Sequence, residues 1–466
     1  MTDGVSGRWT PAAAEAAAGP RGPAPRVGLL FDFDWDATAH RRLTPDYEFD
    51  RAGFDLFSFP SNARLIGFDL ERFAQRQARR ARKAGWAGVV SHHEQFGALA
   101  AALVAERAGL PGASPESILA CQHKLLARQL LQRVAPEACP WFQGLDARYG
   151  GPIPRGLRYP CFVKPVKAAF SVLAREVADE EDLHRFTRFG RRELWVIRRL
   201  VEPFERVARQ RLPAQAGTAH RMLMEEPVHG PQYNLDGWVH DGQLHVLGFV
   251  DAQMYPGTQA FMRFEVPSRL PQQARSRAVD VARRFLAAAD YRHGFFNMEF
   301  FLDASSGRLS VIEFNPRLAS QFGDLYRRVQ GVDAHRMALE LVMGRDPRQL
   351  AVQAPTAGAA ASFVYRSFVA ANVPPPPTAA QRQRLQREMA DAWLMAMPKK
   401  GHGLERDFKW LGSHRYGILH LGGDDPQHLR ARCEAASALL GWPAPYAEAA
   451  EAATSFPPTP VSGVIP

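Results

Sequence analysis

Residues 294–323 read Gly-Phe-Phe-Asn-Met-Glu-Phe-Phe-Leu-Asp, a short Ala-Ser-Ser-Gly-Arg segment, and then Leu-Ser-Val-Ile-Glu-Phe-Asn-Pro-Arg-Leu-Ala-Ser-Gln-Phe-Gly. Two apolar runs around a Ser/Gly turn predict a β-hairpin. Side chains alternate along a strand, so Asn297 and Glu299 share one face of the first run, and Glu313 and Asn315 share one face of the second. A register that pairs Phe301 with Val311 sets Glu299 opposite Glu313 and Asn297 opposite Asn315. Like charges held roughly 5 Å apart across a sheet repel, and the arrangement makes chemical sense if a cation lies between them. A ligand set of oxygens alone suits magnesium. The plainer reading is a half-exposed hairpin with solvated carboxylates. Four such side chains on one face, followed at once by Pro316 and Arg317, favour the metal.

Other residues could serve a phosphate. Tyr159-Pro-Cys-Phe-Val-Lys-Pro165 is an apolar strand that ends on Lys164, whose compact ammonium can act as a point charge. Lys124 lies in a helix that Ser114 caps and Pro115 begins, where a solvated lysine is the plainer reading. His92, His93 and Glu94 follow the apolar Gly88-Val-Val and stand at a strand end. Arg263, Arg292 and Arg317 could together hold an acidic substrate, although ordinary ion pairs suffice for the first two.

The elements that must position these groups begin with Arg26–Asp34, a buried strand. Phe54–Pro60 reads as a second strand and Gly88–Glu94 as a third, separated by a basic amphipathic helix at 68–84 and followed by an Ala/Leu-rich helix at 97–108. Strands alternating with helices predict a parallel, doubly wound sheet with ligands at the strand ends. The helix begun at Ser114 runs on through Leu131. After the turn-rich Gly150–Arg155, the strand bearing Lys164 pairs with 171–177, a helix covers 179–188, and the Arg/Ala-rich stretch 204–219 reads as a surface loop. Met222–Val239 and His245–Asp251 form an antiparallel meander, helix 271–290 leads into the opening hairpin, and a helix covers 333–343. Pro374–Pro377 is a stiff polyproline segment, Tyr416–Asp425 a strand and turn, and 426–440 a helix.

Composition narrows the function. The chain has 466 residues, 46% of them apolar, enough for several sizeable cores. Its 58 basic and 48 acidic residues leave a charge of +10. The excess is arginine dispersed through helices with no nucleic-acid module, which suits a small anionic ligand such as a nucleotide better than nucleic acid or a membrane surface. Cys121, Cys139, Cys161 and Cys433 show no CxxC spacing and predict reduced thiols in a cytoplasmic protein. No apolar run reaches the length of a membrane span. Residues 1–25, rich in Ala, Gly and Pro, read as a disordered leader and not as a signal peptide.

Lys124, Lys164-Pro165, Glu225-Glu226, Glu299 and Glu313-Phe-Asn-Pro-Arg317, in that order, resemble the ATP-grasp superfamily, and especially its carboxylate–amine ligases. The resemblance covers roughly residues 26–345. It implies an α/β and α+β multidomain chain: a Rossmann-like domain at 26–112, an ATP-grasp fold with a first lobe at 113–222 and a second, metal-bearing lobe at 223–350, a small C-terminal α+β lobe at 351–445 and a flexible tail at 446–466. It implies that Lys124 and Lys164 contact ATP phosphates and that Met224–Pro227 meets adenine through its backbone, with Glu225 or Glu226 near the base. Glu299, Glu313 and Asn315 match the magnesium ligands, and Arg317 the arginine that holds an acyl phosphate or a carboxylate. The activity implied is ATP- and Mg2+-dependent joining of a carboxylate to an amine, with ADP and phosphate released; homodimers are common in the family. The sequence departs from the pattern at two places. Val166-Lys-Ala-Ala-Phe-Ser171 lacks the glycines of the usual phosphate loop, with Lys167 a candidate to compensate, and Gln232 stands where a glutamate is common. These departures keep open a second reading, a protein that binds nucleotide without turnover.

Overall fold

The apolar run Val27-Gly-Leu-Leu30 forms the central strand of the N-terminal unit because both of its faces are covered. In the computed structural model, which describes residues 23–32, 35–55, 64–65, 67–148, 152–167, 174–188 and 190–446, β1 (Arg26–Leu30) is flanked by two parallel strands, β2 (Glu48–Ala52) and β3 (Gly88–Val90). Helices α1 (Trp35–Leu43), α2 (Leu70–Ala84) and α3 (Gly97–Ala108) accompany them. The α2 stripe Leu70, Phe73, Ala74, Ala78 and Ala81 is buried at helical spacing, and Asp69 caps the helix by accepting from the Arg72 N–H. Gly28 is required by packing, since a Cβ there would lie 2.1 Å from the Trp86 ring.

The second strand in chain order lies ahead of Phe54–Pro60, where the apolar run suggested it. Phe54 lies in a connection and packs its ring against Phe31 and Phe68 at 5.7 and 5.2 Å, while residues 56–60 fall outside the described part. The true β2, Glu-Phe-Asp-Arg-Ala, is a largely polar edge strand with no alternation to announce it. The expected single helix through Leu131 is two, α4 (Pro115–Gln122) and α5 (Lys124–Val134). His123 leaves the helical region at φ −84°, ψ 91°, and its Nδ1 accepts the Leu126 N–H, so the residue that ends one helix caps the next. Lys124 thereby becomes the first residue of α5, and its own N–H reaches the carbonyl of Val166 at 3.1 Å.

A four-stranded antiparallel sheet follows, built from β4 (Phe142–Arg148), β5 (Cys161–Pro165), β6 (Arg175–Val177) and β7 (Arg221–Glu225) in the order β4-β7-β5-β6. Between β6 and β7 lie α6 (Glu180–Thr187) and α7 (Arg191–Arg211). The second helix corrects the loop expected over 204–219: the chain stays helical to Arg211 and buries Val201, Phe204, Val207 and Ala208. That narrow apolar stripe is diluted by arginines and interrupted by Pro203, which hid its period.

The remaining strands form one eight-stranded sheet. They are β8 (Gln232–His240), β9 (Gln243–Met254), β10 (Phe261–Val266), β11 (Gly294–Leu302), β12 (Leu309–Asn315), β13 (Ala359–Ser367), β14 (Trp393–Ala396) and β15 (His414–Gly423), in the order β12-β11-β8-β9-β10-β13-β15-β14. The sequence reading missed β10, and with it the continuity of this sheet: β13 pairs with β10, so the C-terminal strands extend the sheet that carries the opening hairpin. Helix α8 (Gln272–Ala288) stacks Phe285 on Phe314 at 3.7 Å, while α9 (Ser320–Gln330) and α10 (Ala334–Val342) contribute Phe322, Tyr326 and Met337 to a separate core. The C-terminal helices α11 (Ala379–Glu388), α12 (His402–Leu411) and α13 (Pro426–Leu440) complete the chain, with Leu385, Leu429 and Cys433 in a third core.

Candidate active site

The hairpin pairs Asn297 with Asn315 and Glu299 with Glu313, but Phe301 faces Ser310 and not Val311. A β-bulge at Ile312 accounts for the one-residue difference. The bulge also gives the Ile312 carbonyl a use outside the ladder, since it accepts from Arg128 Nη2 at 2.8 Å and Lys164 Nζ at 3.5 Å.

Around this hairpin two clusters form. In the first, Lys124 Nζ reaches Glu313 Oε2 at 2.7 Å and Gln232 Nε2 donates to Glu299 Oε2 at 2.9 Å. The Asn315 Nδ2 amide lies among Asn297 Oδ1, Glu299 Oε1 and Glu313 Oε1 at 3.2, 3.2 and 3.4 Å, a donor placed in the midst of oxygens. Burial, then Glu313 and Glu94, push the Glu299 carboxyl up to about 8. Partial burial acts on Glu313 in the same sense, but the Lys124 ammonium, by its charge and its hydrogen bond, holds the carboxyl well below the usual range. In the second cluster Glu225 Oε1 takes Arg128 Nε at 2.5 Å and Glu225 Oε2 takes Lys164 Nζ at 2.8 Å; all three side chains are 5–6% exposed. Burial drives Lys164 down to about 8 in spite of Glu225. Lys124, Arg128, Lys164, Glu225 and Glu313 line one cleft.

The structure therefore brings together Lys124, Lys164, Glu225, Gln232, Glu299, Glu313 and Asn315. Glu226 stands apart at the rim, accepting from Arg308 Nη2 at 2.6 Å and the Trp141 N–H at 3.2 Å. Arg317 joins through Glu94: its Nη2 donates to Glu94 Oε2 at 2.9 Å, and that carboxylate outweighs burial to raise its pKa. Arg263 and Arg292 do not join Arg317. Arg263 pairs with Glu265 at 2.8 Å and lies over Tyr446, and Arg292 lies beside the turn at Gly242. Of the three polar residues after β3, Glu94 reaches the site. His92 is buried with its ring 6.1 Å from His40 and 5.7 Å from His335, and burial depresses its pKa to about 3; burial likewise takes His93 to about 4. Lys167 is held by Gln122 Oε1 at 3.2 Å and the Glu94 carbonyl at 3.3 Å, with its ammonium over the Phe204 ring. Burial lowers its pKa to about 7. Residues 168–171 of the glycine-poor turn fall outside the described part.

Sequence reading missed several members. Arg128 is one helical turn from Lys124, a spacing that was legible once α5 was seen to begin at Lys124. Asn234 and Asp236 follow Gln232 at period two on β8 and continue the polar floor: Asn297 Nδ2 donates to Asn234 Oδ1 at 3.1 Å and Asp236 Oδ1 at 2.9 Å, and the Tyr326 hydroxyl to Asp236 Oδ2 at 2.6 Å. Burial raises Asp236 to about 6.

A cleft with an acidic floor and a cationic wall, between a four-stranded lobe and a larger sheet, fits a nucleotide phosphotransfer domain. Residues 157–324 match the ATP-grasp domain family ATP-grasp_4, and the chain carries an ATP-grasp domain. Among curated relatives, it is 28% identical over 261 residues to carnosine synthase 1 of Gallus gallus, a match that takes in 53% of this chain and 26% of that protein. It is 26% identical over 235 residues to the uncharacterized protein y4rH of Sinorhizobium fredii, covering 50% of this chain and 44% of that one. The matches thus span under half the length of these curated relatives. The fold is similar to that of the L-amino acid ligase from Bacillus licheniformis, with a TM-score of 0.63 at 15% identity over 89% of this chain and 97% of that one. It is also similar to the N5-carboxyaminoimidazole ribonucleotide synthetase from Thermus thermophilus, with a TM-score of 0.58 at 16% identity over 89% and 98% of the two chains. Among the described residues, no helix is long and apolar enough to cross a membrane.

Proposed function

We propose that this protein is a Mg2+- and ATP-dependent ligase that joins a carboxylate to an amine through an acyl phosphate, releasing ADP and phosphate. The observation that carries the proposal is the half-buried pair Glu299 and Glu313, which face each other while Lys124 pairs with Glu313. Two adjacent carboxylates partly withdrawn from water cannot both ionise cheaply, and the raised pKa of Glu299 expresses this. The donor set fits magnesium: Glu299, Glu313 and the Asn315 amide, turned so that its oxygen faces inward, would hold the ion. When bound, the ion supplies charge neutralisation and orientation for the phosphates.

The chain's own residues then position and stabilise. Lys124 and Lys164 offer ammonium groups to the phosphate oxygens, and Arg128 keeps Glu225 from neutralising Lys164 alone. Arg317, oriented by Glu94, holds the carboxylate as it becomes the acyl phosphate. The backbone of Met224–Pro227 meets adenine, with the Glu225 side chain turned to the cations and Glu226 at the rim. No protein nucleophile is needed, because such a transfer depends on positioning and electrostatics. An amino acid as the amine is favoured by the similarity in fold to an L-amino acid ligase. Four buried free thiols support a reducing, cytoplasmic setting.

The test is a phosphate-release screen of the purified protein with ATP and Mg2+ against a matrix of carboxylic and amino acids. ADP and phosphate formed only when both substrates are present is the expected result; AMP and pyrophosphate would overturn the acyl-phosphate route. The glycine-poor turn favours the second reading, a nucleotide binder without turnover, and ADP-forming turnover with any substrate pair would remove it.

A further inference from the structure

At the opposite end of β11 the sheet carries a second set of ligand-bearing side chains that the ligase chemistry does not use. His240 is the last residue of β8, and Asp241 and Gly242 turn the chain into β9 with φ of +49° and +78°, as in a type I′ hairpin. His293 immediately precedes β11. Because Gly294 pairs with Val239, the antiparallel register sets His293 across from His240, and their ring centroids are 5.4 Å apart. One ligand atom from each of His240, Asp241 and His293 lies within 4.8 Å of the others.

Backbone bonds hold the group in place from both sides. The Gly242 N–H donates to the Arg292 carbonyl at 2.9 Å, which ties the turn to the residue before His293. His293 Nε2 lies 2.7 Å from the Leu341 carbonyl in α10. A carbonyl only accepts, so that nitrogen carries the proton and Nδ1 keeps its lone pair. A histidine with one ring nitrogen donated to a carbonyl and the other free is the usual state of a metal ligand. Gln243, which pairs with His240 across the turn, adds no competing charge, although the Arg292 guanidinium lies close to Gly242.

We propose that His240, Asp241 and His293 bind a divalent transition-metal ion of the zinc class at a site distinct from the magnesium site. Two imidazoles and one carboxylate suit such an ion, whereas magnesium prefers oxygen alone. Asp241 is largely exposed, so the outer coordination position is open to water. Six residues separate His293 from Glu299, about 20 Å along a strand, so the two sites are independent and the proposal does not rest on the ligase reading. A bound ion would pin the β8–β9 turn to the start of β11 and, through Leu341, to α10.

The test is a titration of tag-free protein with Zn2+ in excess Mg2+ by calorimetry, together with the visible spectrum of the Co2+-loaded protein. The expected result is about one equivalent of Zn2+, weakened about tenfold or more by His240→Gln and by His293→Gln, and unchanged by Glu313→Gln. Asp241→Asn, in an exposed turn, should weaken binding without any cost to folding and guards against misfolded histidine variants. Absence of Zn2+ binding to the wild type, binding indifferent to all three variants, or binding lost with Glu313→Gln would each overturn the proposal.

Discussion

Around Glu225 one carboxylate faces two cations, Lys164 and Arg128, whereas around Glu299 and Glu313 two carboxylates share the single ammonium of Lys124. When every group is ionised the first cluster carries one positive charge too many and the second one negative charge too many. The first is buried and the second half-buried, and they meet at the bulged residue Ile312, whose carbonyl receives Arg128 and Lys164 while Glu313 follows it in the chain. The difference between the clusters teaches how the cleft is prepared. Its wall is short of an anion and its floor short of a cation, and on the proposed reading a metal-bound polyphosphate would supply both at once. The protein thus holds charges that a balanced core would cancel, and a ligand of opposite sign would complete each cluster.

The largest effect should come from removing the floor's essential charge. Glu313→Gln removes the ion pair to Lys124 and leaves one carboxylate for the metal, and should cut Mg2+-dependent ADP formation by about a thousandfold, roughly 4 kcal/mol of barrier, with the circular dichroism spectrum unchanged. Activity near that of the wild type would mean that the acidic pair is structural and the comparison misdrawn. Removing the wall's only carboxylate should act on the fold. Glu225→Gln leaves Lys164 and Arg128 buried against each other and should lower unfolding stability by about 3 kcal/mol, measured by denaturant titration. Recovery of that stability when ATP is added would sharpen the contrast, because phosphate would then replace the lost carboxylate.

Lys164→Ala acts on the same wall in the opposite sense. It leaves Glu225 balanced by Arg128 and removes the surplus charge, so stability should change little while ATP affinity falls about tenfold, near 1.4 kcal/mol. An unchanged nucleotide affinity would show that the wall's surplus charge does not serve the phosphates.

Much of this contrast was legible in the sequence, and unevenly so. Period-two alternation puts the paired Glu and Asn residues on common faces, but the turn-side register, Phe301 with Ser310, would set Glu299 opposite Ile312, and it is the bulge at Ile312 that brings Glu313 opposite instead. The bulge itself, and the use of the Ile312 carbonyl, depend on where Lys164 and Arg128 end up, which no local pattern records. Arg128 was missed for a related reason: its place one turn from Lys124 holds in any helix through this stretch, but its partners, Glu225 and the Ile312 carbonyl, lie far along the chain. Fold-level misses have the same character. β2 and α7 are stabilised by tertiary burial of Phe49-side packing and of Phe204, Val207 and Ala208, while their surfaces are rich in charge, so propensity and periodicity were both weak. The link from Glu94 to Arg317 joins residues 223 positions apart, and only the folded chain brings it into view.

A pH dependence confined to the floor tests the same contrast without a mutation. Burial and Glu313 raise Glu299 to about 8, against an ordinary value of 4.5. At neutral pH the metal-free folded protein therefore holds a proton there that the unfolded chain has released. A state that binds more protons when folded loses stability as pH rises. The loss should run from about pH 4.5 to about pH 8 and end once both states are ionised. Glu313 has the opposite sign, with a depressed folded pKa; its contribution is present above the unfolded value and is lost as pH falls below it, so it does not obscure the window. Mg2+ must displace the Glu299 proton, so its affinity should rise with pH up to about 8, by at most about tenfold per unit. Glu299→Gln should flatten the stability slope in melts recorded with a chelator, and should also flatten the pH dependence of Mg2+ titrations. A wild-type protein whose melting and Mg2+ affinity were both level across this window would place an ionised Glu299 in the empty cleft. The floor would then be no more in need of a cation than the wall.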